Sequence, residues 1–332
     1  MKVIFQNVLL TILSVVVTVL LCEGVLRVYY HLKRNKVTQQ DKVLGWDVLP
    51  NVHLKTFKED KAKVSYPVEY QTDGQGFRKF GNPKSAKLKV LFVGDSFTQA
   101  EDVSNDSTYY AVAGQKIPIE VFGYGVSGFG TLQEYMVLEK ILGQIKPDLV
   151  VLQFTSNDFI NNSYEIEYQS IQNCGTTRPY LSVDGKLSYR LPKSHPEFRL
   201  FMNDYSRLLY FLVNRIEDRQ QKPDHFRAAD YRDSFKITGY SVQNIKKLCQ
   251  TNGVKFSSFM VDFGSGVEYQ LYQKMMAENG VEIIADVPML IQKTQAAGIC
   301  CEIPDNHWNN RGHQVCGQAL ADAIEKQYVT KK

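Results

Sequence analysis

Cysteine is scarce in this chain and poorly spaced for chemistry. Six cysteines occur in 332 residues, at positions 22, 174, 249, 300, 301 and 316, and no C-x-x-C pair is among them. A zinc ribbon or a thioredoxin-type motif therefore has no support. Cys22 falls in an apolar leader, and the five others cannot all pair within one chain. Their number fits buried free thiols better than a disulfide framework, with one bridge to Cys316 left open. No His or Cys pair has metal-ligand spacing, so neither a metal nor a cofactor is expected. Charge of one sign is missing too: 39 Lys plus Arg against 35 Asp plus Glu leave +4. That small excess gives no footprint for nucleic acid, which needs a concentrated basic patch. Internal repeats and low-complexity tracts are also lacking. What remains is 44% hydrophobic, 12% aromatic and 22% charged, a globular composition with material for a sizeable core.

The first 30 residues stand apart. Val3 to Cys22 is a nearly unbroken apolar stretch of about 20 residues, the length a bilayer-spanning helix needs. Lys2 precedes it, and Arg27, Lys33, Arg34 and Lys36 come after it. That asymmetry alone would leave the C-terminal bulk in the cytoplasm, whereas a short leader with one Lys suits export. Leu21 is too large for a good lipobox, and no small-x-small cleavage site appears. The expectation is an uncleaved membrane anchor with the bulk of the chain on the extracytoplasmic side. A cleaved signal and a buried core helix are the alternatives.

Residues 31–85 read as a polar stalk and irregular lead-in. From 86 to 330 strands alternate with helices, the pattern of a parallel sheet covered on both faces. Leu88–Val93, Ile119–Phe122, Leu149–Phe154, Val254–Val261 and Val281–Ile284 are the strand candidates. Helical spacing marks Leu132–Ile145 and the region of Tyr240–Gln250, and a last helix runs from Gly312 to Lys326. Residues 160–235 interrupt the alternation with a hairpin around Asp184-Gly185 and an apolar helix over Arg207–Arg215. We read them as an insertion on one edge of the sheet. Its tyrosines (Tyr164, Tyr168, Tyr180, Tyr189, Tyr205 and Tyr210) suit a sugar cleft or ordinary core and surface.

In an open parallel sheet, ligands bind beyond the carboxyl ends of the strands. Strand one ends in Gly94-Asp95-Ser96-Phe97, the second in Gly123-Tyr-Gly-Val-Ser-Gly128, and the third in Thr155-Ser156-Asn157-Asp158; Pro304-Asp-Asn-His-Trp-Asn309 precedes the last helix. This set contains what acyl transfer requires. Ser96 offers a hydroxyl that needs an adjacent base, and His307 can be that base. Asp305 can fix the His307 tautomer, with Glu302 a fallback. The Ser96 and Gly128 N–H groups and the Asn157 amide are candidate oxyanion donors. The bland readings are a helix N-cap for Ser96, a loop residue for Asn157, and a structural ligand for Asp158. Gly123–Gly128 also satisfies G-x-G-x-x-G, but no acidic residue ends the next strand at the spacing a dinucleotide fold requires.

Taken together, these four blocks resemble the SGNH (GDSL-type) hydrolase superfamily. Gly94-Asp95-Ser96-Phe97 is similar to its nucleophile block, with Phe97 where the family name has Leu. Gly125–Thr131 is similar to its glycine block, Asn157-Asp158 to its asparagine block, and Asp305–Asn309 with Gly312-His313 to its acid/base block. The blocks fall in family order over roughly 88–315. Thr155 replaces the Gly that usually opens the asparagine block. The acid precedes the histidine by two residues, where many members have three. The resemblance implies a flavodoxin-like three-layer α/β/α fold and metal-free ester hydrolysis or acyl transfer. Ser96 would be the nucleophile, His307 the base, and Gly128 and Asn157 the rest of the oxyanion hole. The layout resembles membrane-anchored bacterial members, which implies an O-acyl substrate, above all an O-acetyl group on a glycan. A lipid esterase or thioesterase is the alternative, marked by a long apolar groove under the insertion where a glycan enzyme would show a shallow polar cleft. A non-catalytic glycan-binding member is the third reading. Oligomeric state is not legible.

Overall fold

The computed structural model describes residues 2–32, 37–218 and 226–330. Lys33, Arg34 and Lys36, which enter the charge reading of the leader, lie outside the described residues.

Helix α1 (Lys2–Leu32) is the leader. None of its residues is buried, so the core-helix alternative fails. The hydroxyls of its apolar stretch are satisfied within the helix: Thr11, Ser14 and Thr18 each donate to the carbonyl four residues back, at 2.8–2.9 Å. That pairing is what an apolar surrounding demands of a hydroxyl. Length and composition allow α1 to cross a membrane.

The lead-in is not irregular, and the expectation is corrected. It forms two antiparallel hairpins, β1 (Thr38–Asp41) with β2 (Gly45–Val48) and β3 (His53–Glu59) with β4 (Ser65–Gln71). Four-residue strands and a largely exposed β3 give too little apolar alternation to read as strands.

Five parallel strands build the central sheet: β5 (Leu88–Gly94), β6 (Ile119–Gly125), β7 (Leu149–Phe154), β10 (Lys255–Met260) and β11 (Glu282–Ile283). The intervening β8 (Arg178–Leu181) and β9 (Leu187–Arg190) belong to the insertion. The sheet order is β11-β10-β7-β5-β6. Counting only these five, that is 2-1-3-4-5, the flavodoxin-like order. Strand β6 runs three residues past the expected end because Gly123 and Gly125 stay in it. A Cβ on Gly123 would sit 2.6 Å from the Tyr110 ring, and one on Gly125 2.4 Å from the Gln99 nitrogen.

Burial on both faces explains the continuous apolar runs. Leu91 and Val93 of β5 face one core layer, and Val90 and Phe92 face the other. The first layer is covered by α4 (Thr131–Ile145), α9 (Arg232–Thr251) and α10 (Val267–Glu278). The second is covered by α3 (Tyr109–Lys116), α11 (Val287–Ala296) and α12 (Asn310–Ile324). Short α2 (Ser96–Gln99) sits directly at the end of β5. All six cysteines are unpaired, and Cys249, Cys301 and Cys316 are buried.

The insertion leaves the sheet at the end of its central strand β7. Besides β8 and β9 it comprises α5 (Asp158–Asn161), α6 (Tyr164–Gln169), α7 (Pro196–Tyr205) and α8 (Arg207–Asp218). Its anchor is a buried pair, Arg178 Nη1 to Glu167 Oε1 at 3.2 Å, to which the Tyr180 hydroxyl adds a 2.7 Å bond. The Arg178 guanidinium also lies 5.0 Å from the Trp46 ring centre, tying the insertion to the lead-in.

Candidate active site

Strand β5 delivers Ser96 through a tight corner. Asp95 caps α2, its Oδ1 accepting the Phe97 N–H at 3.1 Å, so the cap is Asp95 and Ser96 is free of that duty. Gly94 is required here: a Cβ would fall 2.3 Å from Gln153 Oε1 and 2.4 Å from Thr98 Oγ1. Burial pushes the Asp95 carboxyl up from the ordinary aspartate range.

His307 arrives from the far end of the chain. Its Nε2 lies 2.8 Å from Ser96 Oγ, and its Nδ1 lies 3.0 Å from Asp305 Oδ1. With Nδ1–H given to the carboxylate, Nε2 is left to accept the serine proton. The same Asp305 oxygen accepts the His307 backbone N–H at 3.2 Å. Asn306 between them turns left-handed, φ +73°, which lets the acid fold back onto a ring only two residues on. Partial burial would raise the Asp305 carboxyl, but the neighbouring His307, the bonds from it and Lys58 outweigh that and hold it below its usual range. The fallback acid is engaged elsewhere: Glu302 pairs with Lys61 Nζ.

The lead-in holds this loop, a role sequence reasoning missed. Lys61 N–H donates to the Glu302 carbonyl at 2.9 Å, and its Nζ to Asn306 Oδ1 at 2.6 Å. Below the loop, Trp308 is buried and its ring centre lies 4.8 Å from that of Phe97. Asn309 caps α12 through the Arg311 and Gly312 N–H groups at 2.9 and 3.1 Å. His313 is structural: its buried Nδ1 accepts the Tyr109 N–H at 3.2 Å, and burial drops it to about 3, so it stays neutral. Arg78 was also missed. Its fully fixed guanidinium donates to the carbonyls of Ala100 at 2.7 Å and Val103 at 2.9 Å, bracing the segment after Ser96. The only sequence signal was an Arg in the Gly-rich Gly74–Arg78 segment.

Gly128 lies just beyond β6 with φ +78°. A side chain there would be strained and would meet Cys174 Sγ at 2.9 Å. The turn is pinned by Trp46, whose Nε1 donates to the Ser127 carbonyl at 2.9 Å. Asn157 lies just beyond β7. Its NH2 donates to Asn161 Oδ1 at 3.0 Å, and its own Oδ1 has no partner among the described residues. Asp158 next to it is a structural ligand, accepting from the Thr155 N–H and the Thr131 hydroxyl, both at 2.8 Å.

Ser156 is held by Asp262, whose two oxygens accept its N–H at 3.1 Å and its hydroxyl at 3.0 Å. Burial outweighs these bonds and raises Asp262 to about 6. A raised folded value means that its contribution to stability is full below the unfolded aspartate range and is lost as pH rises through about 6. Asp262→Asn keeps an acceptor for the N–H and carries no charge. It is expected to be more stable than the parent at pH ~8 by about 1–3 kcal/mol, with the gap closing by pH ~4. Thermal unfolding in neutral micelles at both pH values checks this; an equal gap at the two would contradict it.

No protein-family model matches the chain, and no curated protein matches it. Solved structures do match. The psychrotrophic esterase EstA from Pseudoalteromonas sp. is 11% identical, with 72% of this chain and 97% of that chain covered at a TM-score of 0.43. A member of the lipolytic protein G-D-S-L family from Veillonella parvula DSM 2008 is 12% identical, with 73% and 98% covered at 0.38. The acetyl xylan esterase AlAXEase is 14% identical, with 71% and 100% covered at 0.40.

Proposed function

We propose that the chain is a serine esterase or acyltransferase of the SGNH type, acting on O-acyl groups of a glycan. The observation that carries this reading is the Ser96–His307–Asp305 relay: a 2.8 Å contact between Ser96 and His307, 211 positions apart in sequence, and a 3.0 Å contact from His307 to Asp305. Ser96 Oγ attacks the ester carbonyl while His307 Nε2 takes its proton. Asp305 stabilises the imidazolium that forms. The Ser96 and Gly128 N–H groups and the Asn157 amide receive the oxyanion. Collapse expels the alcohol, which takes the proton back from His307. Water or a sugar hydroxyl then attacks the acyl-serine, its proton going to His307, and Ser96 is regenerated.

The place of Asn157 just beyond β7, at the carboxyl end of the sheet, supports its role; at rest its NH2 donates to Asn161 Oδ1 and has to exchange that partner for the oxyanion. Asn157→Ala is expected to lower kcat by about 10²–10³ with KM little changed. Steady-state kinetics on a chromogenic acetate ester measures this, and an unchanged kcat would remove Asn157 from the mechanism.

We read the cavity of about 680 Å³ between the lead-in and the insertion as room for the rest of a glycan chain; none of Ser96, Asn157 and His307 lines it. It is lined by polar groups and rings such as Gln40, Asn203, Asn214, Tyr189 and Tyr210, and it reaches Gly175, next to the Cys174 that touches Gly128. The other insertion tyrosines divide: Tyr180 is core, and Tyr164 lies under Arg190 at 3.2 Å. The test compares acetate release from an O-acetylated oligosaccharide with hydrolysis of a long-chain acyl ester. Preference for the long chain would favour the lipid esterase reading.

We also propose α1 as an uncleaved membrane anchor, with the α/β domain on the extracytoplasmic side. A reporter fused at Lys332 that is active only in the cytoplasm would contradict that placement.

A further inference from the structure

The insertion is bolted to the leader. Glu23 of α1 caps the start of α8: its carboxylate accepts the Arg207 and Leu208 N–H groups, both at 2.9 Å, and the Ser206 hydroxyl at 3.1 Å. Arg27 of α1 donates to the Tyr205 carbonyl at 3.0 Å, and Tyr30 meets Tyr210 edge to face at 6.2 Å. Glu23 is the first charged residue after the apolar stretch Val3–Cys22. At 1.5 Å per residue that stretch spans about 30 Å, the thickness of a bilayer's hydrocarbon core. The corner between α7 and α8 therefore sits where α1 leaves the hydrocarbon.

Both helices at that corner turn an apolar stripe outward. On α7 it is Phe198, Phe201 and Tyr205, and on α8 it is Leu209, Leu212 and Ile216. Both stripes have the i, i+3, i+7 spacing of one helix face, and their members are 39–69% exposed. On α7 the rings stack on one another, Phe201 and Tyr205 at 4.7 Å, and the rest of the protein does not cover them. Arg27, Arg207 and Arg215 flank the corner. Aromatic and aliphatic side chains on one face with arginines beside them is the composition of a helix lying in the headgroup layer.

We propose that α7 and α8 form an interfacial membrane-binding element that, together with α1, rests the domain on a lipid bilayer. The occupant of the exposed stripes is the headgroup and upper acyl region of anionic lipid. This inference rests on the anchor reading of α1. The element fixes the height of the α/β domain above the membrane, because the same insertion carries β8 and β9, whose Arg178 pairs with Glu167 and packs against Trp46.

The test uses the full chain in nanodiscs of phosphatidylethanolamine and phosphatidylglycerol. Photoreactive p-benzoylphenylalanine replaces one residue at a time: Leu13 in α1, Phe201 in α7, Ile216 in α8, and Phe57 in β3, which is 73% exposed. Mass spectrometry then identifies each adduct. Lipid adducts at positions 13, 201 and 216, several-fold above position 57, are expected. Lipid at 13 with none at 201 and 216 would overturn this inference and leave the anchor standing. No lipid at 13 would overturn both. Adducts between two copies of the chain at 201 or 216, in place of lipid, would also overturn it.

Discussion

Ser96→Ala is expected to lower kcat/KM on an acetate ester by about 10⁴-fold or more, with the fold intact. In the proposed mechanism the hydroxyl is the attacking atom, and removing a triad nucleophile leaves only the oxyanion donors and binding to act. Stability should change by no more than about 0.5 kcal/mol, because the cap of α2 belongs to Asp95 and Ser96 bonds only the catalytic ring. His307→Ala is expected to lose a comparable factor. The double variant should lose little more than either one, since a relay missing one member has nothing left for the other to assist. Additive losses would mean that the two side chains act separately.

Asp305→Asn carries the second large effect. An amide at this position keeps the size of the side chain but cannot serve as an anionic acceptor for Nδ1–H. The ring is then free to take the wrong tautomer, and the imidazolium loses its partner. Asp305 is open to solvent, its side chain 63% exposed, and water screens part of that loss. We expect a fall in kcat of about 10²–10⁴. Glu302→Gln is expected to change kcat by no more than about twofold, because Glu302 faces Lys61 and not His307. The reverse ranking would make Glu302 the acid and would require the 302–307 loop to rearrange during turnover. The lowered value of Asp305 sets the sign of its pH response. Its carboxylate stays ionised through the acid side of the ordinary aspartate range, so protonation of Asp305 should not limit activity near neutrality.

The legible parts of this fold are those where one physical signal dominates. Strands β5 and β7 are buried on both faces, so their apolar runs stand out and their ends locate Ser96 and Asn157. Helix α4 shows its period because one face alone meets the sheet. Strand β6 reads short in sequence because glycine usually ends a strand, and here Gly123 and Gly125 make room for the Tyr110 ring and the α2 backbone. The lead-in hairpins are illegible for the opposite reason. Strands β1 to β3 are short or largely exposed and carry no apolar alternation; β4 alternates through Tyr66, Val68 and Tyr70, but Pro67 breaks its strand signal. What fixes the hairpins is contact with distant residues: Lys61 with the 302–306 segment, Trp46 with Ser127. Arg78 is a buried clamp because backbone carbonyls from the segment after Ser96 converge on it, contacts that no local pattern marks. The choice between Asp305 and Glu302 needed the left-handed turn at Asn306, which an Asn permits but does not dictate. The Glu23 cap joins residues more than 180 positions apart and had no local signal.

The central claim is that Ser96 is an activated nucleophile. A fluorophosphonate probe tests it directly, applied to the full chain in neutral micelles beside Ser96→Ala and His307→Ala. The account predicts covalent labelling of the parent protein, mapped to the peptide carrying Ser96 by mass spectrometry and absent from both variants. A folded parent that takes no label, or a label that persists in Ser96→Ala, would contradict it.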